Sequence, residues 1–177
     1  MNRKLQTVLI GTVALLCAVS GVWFYQSSQA DRPPDATAAG NMVLGAKLMG
    51  VDDQVHPFEQ WRGKVLIVNF WATWCAPCRE EIPGFVKFQQ AYGPAGLQFV
   101  GIAIDQKPRV IPYAQEMGIN YPLLVGGLET MDFARQLGNR MSVLPFTLVL
   151  DRTGKVVLSE VGILKADKLE KTVKPLL

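Results

Sequence analysis

"VNFWATWCAPCREEIP", Val68 to Pro83, sets two cysteines three residues apart directly after an apolar, β-branched run. That run, Lys64 to Ala72 ("KVLIVNFWA"), has strand length and no polar alternation, the pattern of a central strand covered on both faces. Beyond Cys78 the period changes. Ile82, Phe85, Val86 and Gln89 recur at spacings of three and four, which predicts one face of a helix. Cys75 therefore falls at a helix start, where unpaired N–H groups and the positive dipole end favour a thiolate. Cys78, three residues on, is placed against the first turn, from where it can attack a mixed disulfide. Pro77 is tolerated between them because a first-turn N–H has no partner within the helix. Pro83 is expected to kink the helix, since it cannot donate to the Arg79 carbonyl.

Outward from this stretch, apolar runs and helical patterns alternate. "LQFVGIAID" (Leu97–Asp105) reads as a second buried strand, "RVIPYAQEMG" as a helix ending near Gly118, and "YPLLVG" as a short strand. "ETMDFARQLG" reads as another helix, ending near Gly138. "PFTLVLD", a turn at "DRTGK" and "VVLSEVG" follow, before a last helix from about Ala166. Upstream, a turn signal at Val51-Asp52-Asp53 between two short apolar pieces predicts a hairpin ahead of the main fold. Strands alternating with helices give an α/β class with a parallel sheet, and the Asp151-Arg152-Thr153-Gly154 turn adds an antiparallel hairpin at one end.

The chain has 177 residues, 49% hydrophobic and 19% charged, enough for one well-cored domain and not for two. The remainder lies at the N-terminus. Val8 to Tyr25 carries no charge over eighteen residues and follows Arg3 and Lys4. This is the short end of a membrane-spanning length, and residues 1–25 are expected to form an N-terminal signal anchor. Ser28-Gln29-Ala30 resembles a small-x-small cleavage site, so a removed signal ending at Ala30 is the other reading. Both export the rest, with the N-terminus left cytoplasmic by the positive-inside tendency. Residues 26–41, rich in Ser, Gln, Asp, Pro and Ala, read as a flexible tether, and residues 42–177 as the folded domain. Arg3 and Lys4 account for two of the formal +3, leaving +1 for the exported part and no basic stripe for nucleic acid.

A C-x-x-C pair can be a redox dithiol, half of a metal site or a structural staple. A zinc site needs four ligands, and Cys75, Cys78 and His56, the last read as an ordinary loop residue, leave it short. A staple closing so small a loop restricts the unfolded chain little. Cys17, inside the apolar segment, reads as an inert small hydrophobe. Met42, Met49, Met117, Met131 and Met141 show no clustered spacing for copper and read as packing. Trp71 belongs to the core, whereas Trp74, adjacent to Cys75, reads as part of a substrate surface.

"FWATWCAPC" resembles the active-site motif of the thioredoxin superfamily. The longer "NFWATWCAPCREEIP", together with "VLPFTLVLDRTGKVV", resembles its TlpA/ResA-like branch, over roughly Val43 to Leu177. The resemblance implies a thioredoxin fold with an N-terminal β-hairpin extension and an inserted helix–strand element. It also implies a redox-active Cys75–Cys78 disulfide and a cis Pro145 facing the pair. Thioredoxins usually keep a buried Asp where this chain has Asn69, which cannot exchange a proton; the branch instead has an acid three residues after the second cysteine, here Glu81. Helical geometry agrees: three residues turn about 300°, so Glu81 shares the face of Cys78 while Glu80 points nearly opposite, into solvent.

The function implied is thiol:disulfide oxidoreduction, with Cys75 attacking and Cys78 resolving, and no organic cofactor or metal. Trp74, Pro77, Asn69, Glu81 and Pro145 support the pair. Ala76-Pro77 offers no imidazolium to stabilise the thiolate, so the couple is expected nearer the thioredoxin end, roughly −270 to −200 mV, than the DsbA value of about −120 mV. That favours reduction of exported proteins, in cytochrome c maturation or metal-site assembly, with electrons from a membrane donor of the thiol–disulfide relay. The location expected is the outer face of a bacterial inner membrane, or the soluble periplasm if the chain is cleaved. Three alternatives stay open: a thiol oxidase of the same fold, a peroxiredoxin-like peroxidase and a copper-binding chaperone. Against the peroxidase, the threonine stands in the wrong place, Thr73 being only two residues before Cys75.

Overall fold

The structure, a computed structural model, describes residues 17–23 and 35–177. Residues 17–23 are helical, with Cys17 exposed and free. Among the described residues no helix is long and apolar enough to cross a membrane. Most of the apolar segment at 8–25, and the stretch at 26–34, lie outside the described residues.

The remainder is a seven-stranded sheet with helices on both faces. In chain order the elements are α1 (Ala36–Gly45), β1 (Lys47–Gly50), β2 (Val55–Pro57), β3 (Val65–Trp71), α2 (Ala76–Tyr92), β4 (Leu97–Ile104), α3 (Lys107–Glu116), β5 (Leu123–Gly126), α4 (Leu128–Gln136), β6 (Phe146–Leu150), β7 (Val156–Val161) and α5 (Ala166–Val173). The strand order is β2-β1-β5-β4-β3-β6-β7. The predicted hairpin is β1–β2, and β1 joins the sheet antiparallel to β5. The inserted helix–strand element is α3 with β5.

The sheet is mixed rather than parallel with one hairpin. Parallel pairing is confined to β3, β4 and β5. β6 enters on the other side of β3 and runs antiparallel to it, with Asn69 opposite Thr147. Helical periodicity marks where a crossover lies and leaves open which edge the next strand joins.

The central strand follows its sequence. All seven residues of β3 are buried, and their alternation divides the core. Val65, Ile67 and Trp71 pack with Phe85, Phe99 and Leu169 on one face. Leu66, Val68 and Phe70 pack with Val43, Phe146 and Leu148 on the other. Asn69 shares the face of Ile67 and Trp71, toward the cysteine helix.

The tether reading fails for residues 36–41, which form most of α1. Asp35 caps that helix, its Oδ1 accepting from Thr37 N at 2.9 Å and Ala38 N at 2.8 Å. Ala39, Gly40, Val43 and Leu44 are buried, and a Cβ on Gly40 would lie 1.8 Å from the Gly154 carbonyl oxygen. The small residues that looked unable to order themselves are what lets α1 sit directly on the β6–β7 turn. That turn is built by Asp151, whose Oδ1 accepts from Thr153 N, Thr153 Oγ1 and Lys155 N. Arg152 points away from it and donates to the carbonyls of Gly63, Ala95, Leu176 and Leu177, tying the chain end to the loops before β3 and β4.

Two smaller expectations also change. His56 lies on β2 rather than in a loop, its Nε2 3.0 Å from both carboxylate oxygens of Asp52. Met49 and Met141 do not serve packing: both are exposed, Met141 at 84%.

Candidate active site

Cys75 is the N-cap of α2, and its Sγ accepts a hydrogen bond from Cys78 N at 3.3 Å. The two cysteines form a disulfide. Cys78 is fully buried and Cys75 is 5% exposed. The turn ahead of them is closed by Cys75 N donating to the Ala72 carbonyl at 3.2 Å. Pro77 sits in the first turn, and the helix continues through Pro83 to Tyr92.

Glu81 lies three residues beyond Cys78 and is 6% exposed, while Glu80 is exposed. The helical register inferred from the sequence therefore holds. Asn69 Nδ2 donates to Glu81 Oε1 at 2.8 Å, and Leu164 N donates to Oε2 at 3.1 Å. Asn69 Nδ2 also donates to Thr147 Oγ1 at 2.9 Å. The network follows from sheet register: Asn69 and Thr147 are cross-strand partners, so their side chains stand together on the face that α2 covers. Burial pushes the Glu81 carboxyl up from 4.5 to about 7, with the Leu164 and Asn69 bonds opposing the shift. A carboxyl poised near neutrality is suited to exchanging a proton with a neighbouring thiol. Tyr121, buried nearby, has its hydroxyl pushed up by burial and, secondarily, by the Glu81 charge.

The loop before Cys75 has an anchor that no motif in the sequence marks. Thr73 N and Thr73 Oγ1 both donate to Asp105 Oδ2, at 3.2 and 2.5 Å, and Gln106 N donates to Oδ1 at 2.7 Å. The Asp105 side chain is 2% exposed. Burial raises its carboxyl, but the bonds from Thr73 and Gln106 outweigh this and hold it below its ordinary value. Asp105 stands just past the end of β4, parallel to β3, so the sheet brings the two strand ends and their loops side by side. Thr147 and the Leu164 amide were also missed. Both are recognisable only once β6 is placed antiparallel to β3 and the chain after β7 is seen to return over α2.

Around the pair the remaining predicted residues separate by exposure. Trp74 is 63% exposed, whereas Trp71 is buried and packs on Tyr113 with ring centroids 5.5 Å apart. The Leu144–Pro145 peptide is cis, Pro145 is buried, and its carbonyl accepts from Gly162 N at 2.8 Å. Leu144 packs against the cluster that contains both cysteines. Trp74, Met141, Val143 and Ile163 are exposed apolar side chains on the loops at Cys75, before Pro145 and after β7. A cleft of about 400 Å³ beside the hairpin, lined by Asp52, His56, Gln115 and Leu123, holds neither cysteine.

The Redoxin family matches residues 29–176. The chain belongs to the redoxin family. It is 32% identical to the thiol:disulfide interchange protein HelX of Rhodobacter capsulatus over 167 residues, covering 89% of this chain and 88% of that one. It is 26% identical to the thiol-disulfide oxidoreductase ResA of Geobacillus thermodenitrificans over 155 residues, 87% of each. Among solved structures, a thioredoxin-family thiol:disulfide interchange protein from Chlorobium tepidum TLS superposes with a TM-score of 0.69 at 32% identity, covering 82% of this chain and 97% of that one. The TlpA/ResA-like reading and the thioredoxin-like fold both stand. With a disulfide at the start of α2, this redoxin is a thiol:disulfide oxidoreductase.

Proposed function

We propose that this redoxin is a disulfide reductase of exported proteins, held at the outer face of a bacterial inner membrane. The observation that carries the reading is a Cys75–Cys78 pair at the helix start, with Ala76-Pro77 between the sulfurs and Glu81 buried three residues on from Cys78, on the same helix face. Cys75, as thiolate, attacks a sulfur of the substrate disulfide; that bond breaks, a mixed disulfide forms and one substrate thiolate leaves. Cys78 gives its proton to the Glu81 carboxylate, attacks Cys75 Sγ and expels the second substrate thiolate. Two electrons pass to the substrate, and the Cys75–Cys78 disulfide is left. The sulfurs carry both electrons, so no organic cofactor or metal enters the scheme. Trp74 and the apolar loop residues would grip an extended substrate segment around its disulfide. A membrane thiol–disulfide donor returns the pair to the dithiol. Relatives named as a thiol-disulfide oxidoreductase and a thiol:disulfide interchange protein support thiol–disulfide exchange as the reaction; exported proteins, including those of cytochrome c maturation, are the substrates we assign to it.

Equilibration with glutathione buffers tests the direction. The expected potential is roughly −270 to −200 mV; a value near the −120 mV of DsbA would make the chain an oxidase instead. The compartment rests on Arg3, Lys4 and the uncharged Val8 to Tyr25. A reporter fused after Leu177 should be active only outside the cytoplasm and stay with membranes after an alkaline wash. Release into the soluble periplasm would replace the anchor by cleavage at Ala30, and a cytoplasmic signal would overturn the assignment.

A further inference from the structure

A relay that accepts the Cys78 proton must pass it to water once per turnover, and Glu81 is almost sealed from solvent. Its carboxylate is held from inside by Asn69, from β3, and by the Leu164 amide, with Tyr121 packed nearby. The helix face it shares with Cys78 offers no exit, since Cys78 is itself fully buried. One cleft does end on Glu81. It has a volume of about 160 Å³ and runs between α2 and the chain leading into α5, walled by Gly84, Phe88, Ile163 and Leu169 with Glu80 and Lys165 at its exposed rim. That is well above the roughly 10–15 Å³ one water requires, and its floor and rim are the polar partners a water needs.

Gly84 is the unexpected part of that wall. It stands in mid-helix in ordinary helical conformation, and nothing lies within 4 Å of where a Cβ would be. Neither backbone nor packing requires glycine there, and glycine is the least favourable helix-interior residue after proline. What its missing side chain leaves is an open mouth over Glu81.

We propose that the cleft at Gly84 is the route by which the Glu81 proton reaches solvent, an inference that rests on the relay role given to Glu81 above. The step is a proton transfer only: Glu81 takes the proton from Cys78 Sγ as the mixed disulfide is resolved, and loses it through the cleft to water. No electron moves along this path. Gly84 acts by what it leaves out, so a larger side chain should slow resolution without affecting the attack by Cys75.

The test is stopped-flow reaction of the reduced full-length chain with the aromatic disulfide 5,5′-dithiobis(2-nitrobenzoic acid). Attack by Cys75 releases the first thionitrobenzoate and resolution by Cys78 the second. At pH 6, where Glu81 starts largely protonated and must lose that proton through the cleft before it can take the one from Cys78, Gly84→Leu should slow the second phase by about tenfold, a fraction of the 10²–10⁴-fold typical of general acid–base catalysis, and leave the first unchanged. Gly84→Ala should slow it less, and the solvent deuterium isotope effect on the second phase should grow with side-chain size. Ala166→Met fills the cleft from the opposite, exposed wall and should reproduce the slowing, which keeps the test decisive if Gly84→Leu does not fold. Wild-type second phases in Gly84→Leu or in Ala166→Met, alongside a slowed Glu81→Gln, would overturn the route and leave the relay standing. An unaltered second phase in Glu81→Gln would remove the relay and the route with it.

Discussion

Cys78→Ser should accumulate mixed disulfides with its substrates in cells, and Cys75→Ser should form almost none. The asymmetry follows from where the two sulfurs lie. Cys75 is the N-cap, its Sγ already accepts the Cys78 amide, and the same bond would stabilise a thiolate once the disulfide is reduced. Cys78 is one turn inside and fully buried, reachable by Cys75 Sγ but not by a protein disulfide arriving from solvent. Removing it leaves the attack intact and deletes the resolving step, so the covalent intermediate persists instead of turning over. Removing Cys75 deletes the only accessible sulfur of the pair, and reductase activity should fall to background. Gel shifts sensitive to reductant, after acid quenching, measure both. Equal trapping by the two variants would contradict the order of attack.

Most of this site could be read along the chain because its chemistry is local in sequence. Cys75, Cys78 and Glu81 lie within two helical turns, so periodicity alone places Glu81 inward and Glu80 outward. Trp71 and Trp74 divide the same way, one in the strand and one on the loop after it. What remained hidden depends on pairing. Thr147 faces Asn69 only because β6 runs antiparallel to β3, and Asp105 reaches Thr73 only because β4 runs parallel to it. Neither register is written in the pattern of either strand. Helix α1 was hidden for another reason: its stabilisation comes from the Asp35 cap and from the close approach of Gly40 to the β6–β7 turn, not from an apolar stripe.

The carboxyl to which we assign the proton relay should also make the oxidised protein less stable as pH rises. Folding lifts the Glu81 carboxyl from 4.5 to about 7, chiefly by burial. The folded state then holds its proton more tightly than the unfolded chain does, and the associated stability is fully present below pH 4.5. It is lost as pH rises through about 7. The difference between the two values corresponds to about 3 kcal/mol, an order-of-magnitude figure. Asp52, Glu59, Asp105, Glu129, Asp151 and Glu170 are all held below their ordinary values, so their contributions are lost in the more acidic range, below the fall assigned to Glu81. Urea unfolding of the oxidised chain at pH 5 and pH 8 should show that fall, and Glu81→Gln should abolish it while Glu80→Gln keeps it. In the reduced protein the same substitution removes a negative charge beside two thiols. The apparent pKa of the Cys75 and Cys78 pair should therefore drop, and the release step should slow because Cys78 has lost its proton acceptor. If Glu80→Gln flattens the pH dependence or moves the thiol titration while Glu81→Gln does neither, the acid has been assigned to the wrong residue. An unpaired carboxyl buried at a cost in stability near neutral pH, and held by Asn69 and the Leu164 amide rather than by a cation, is otherwise hard to reconcile with a purely structural role.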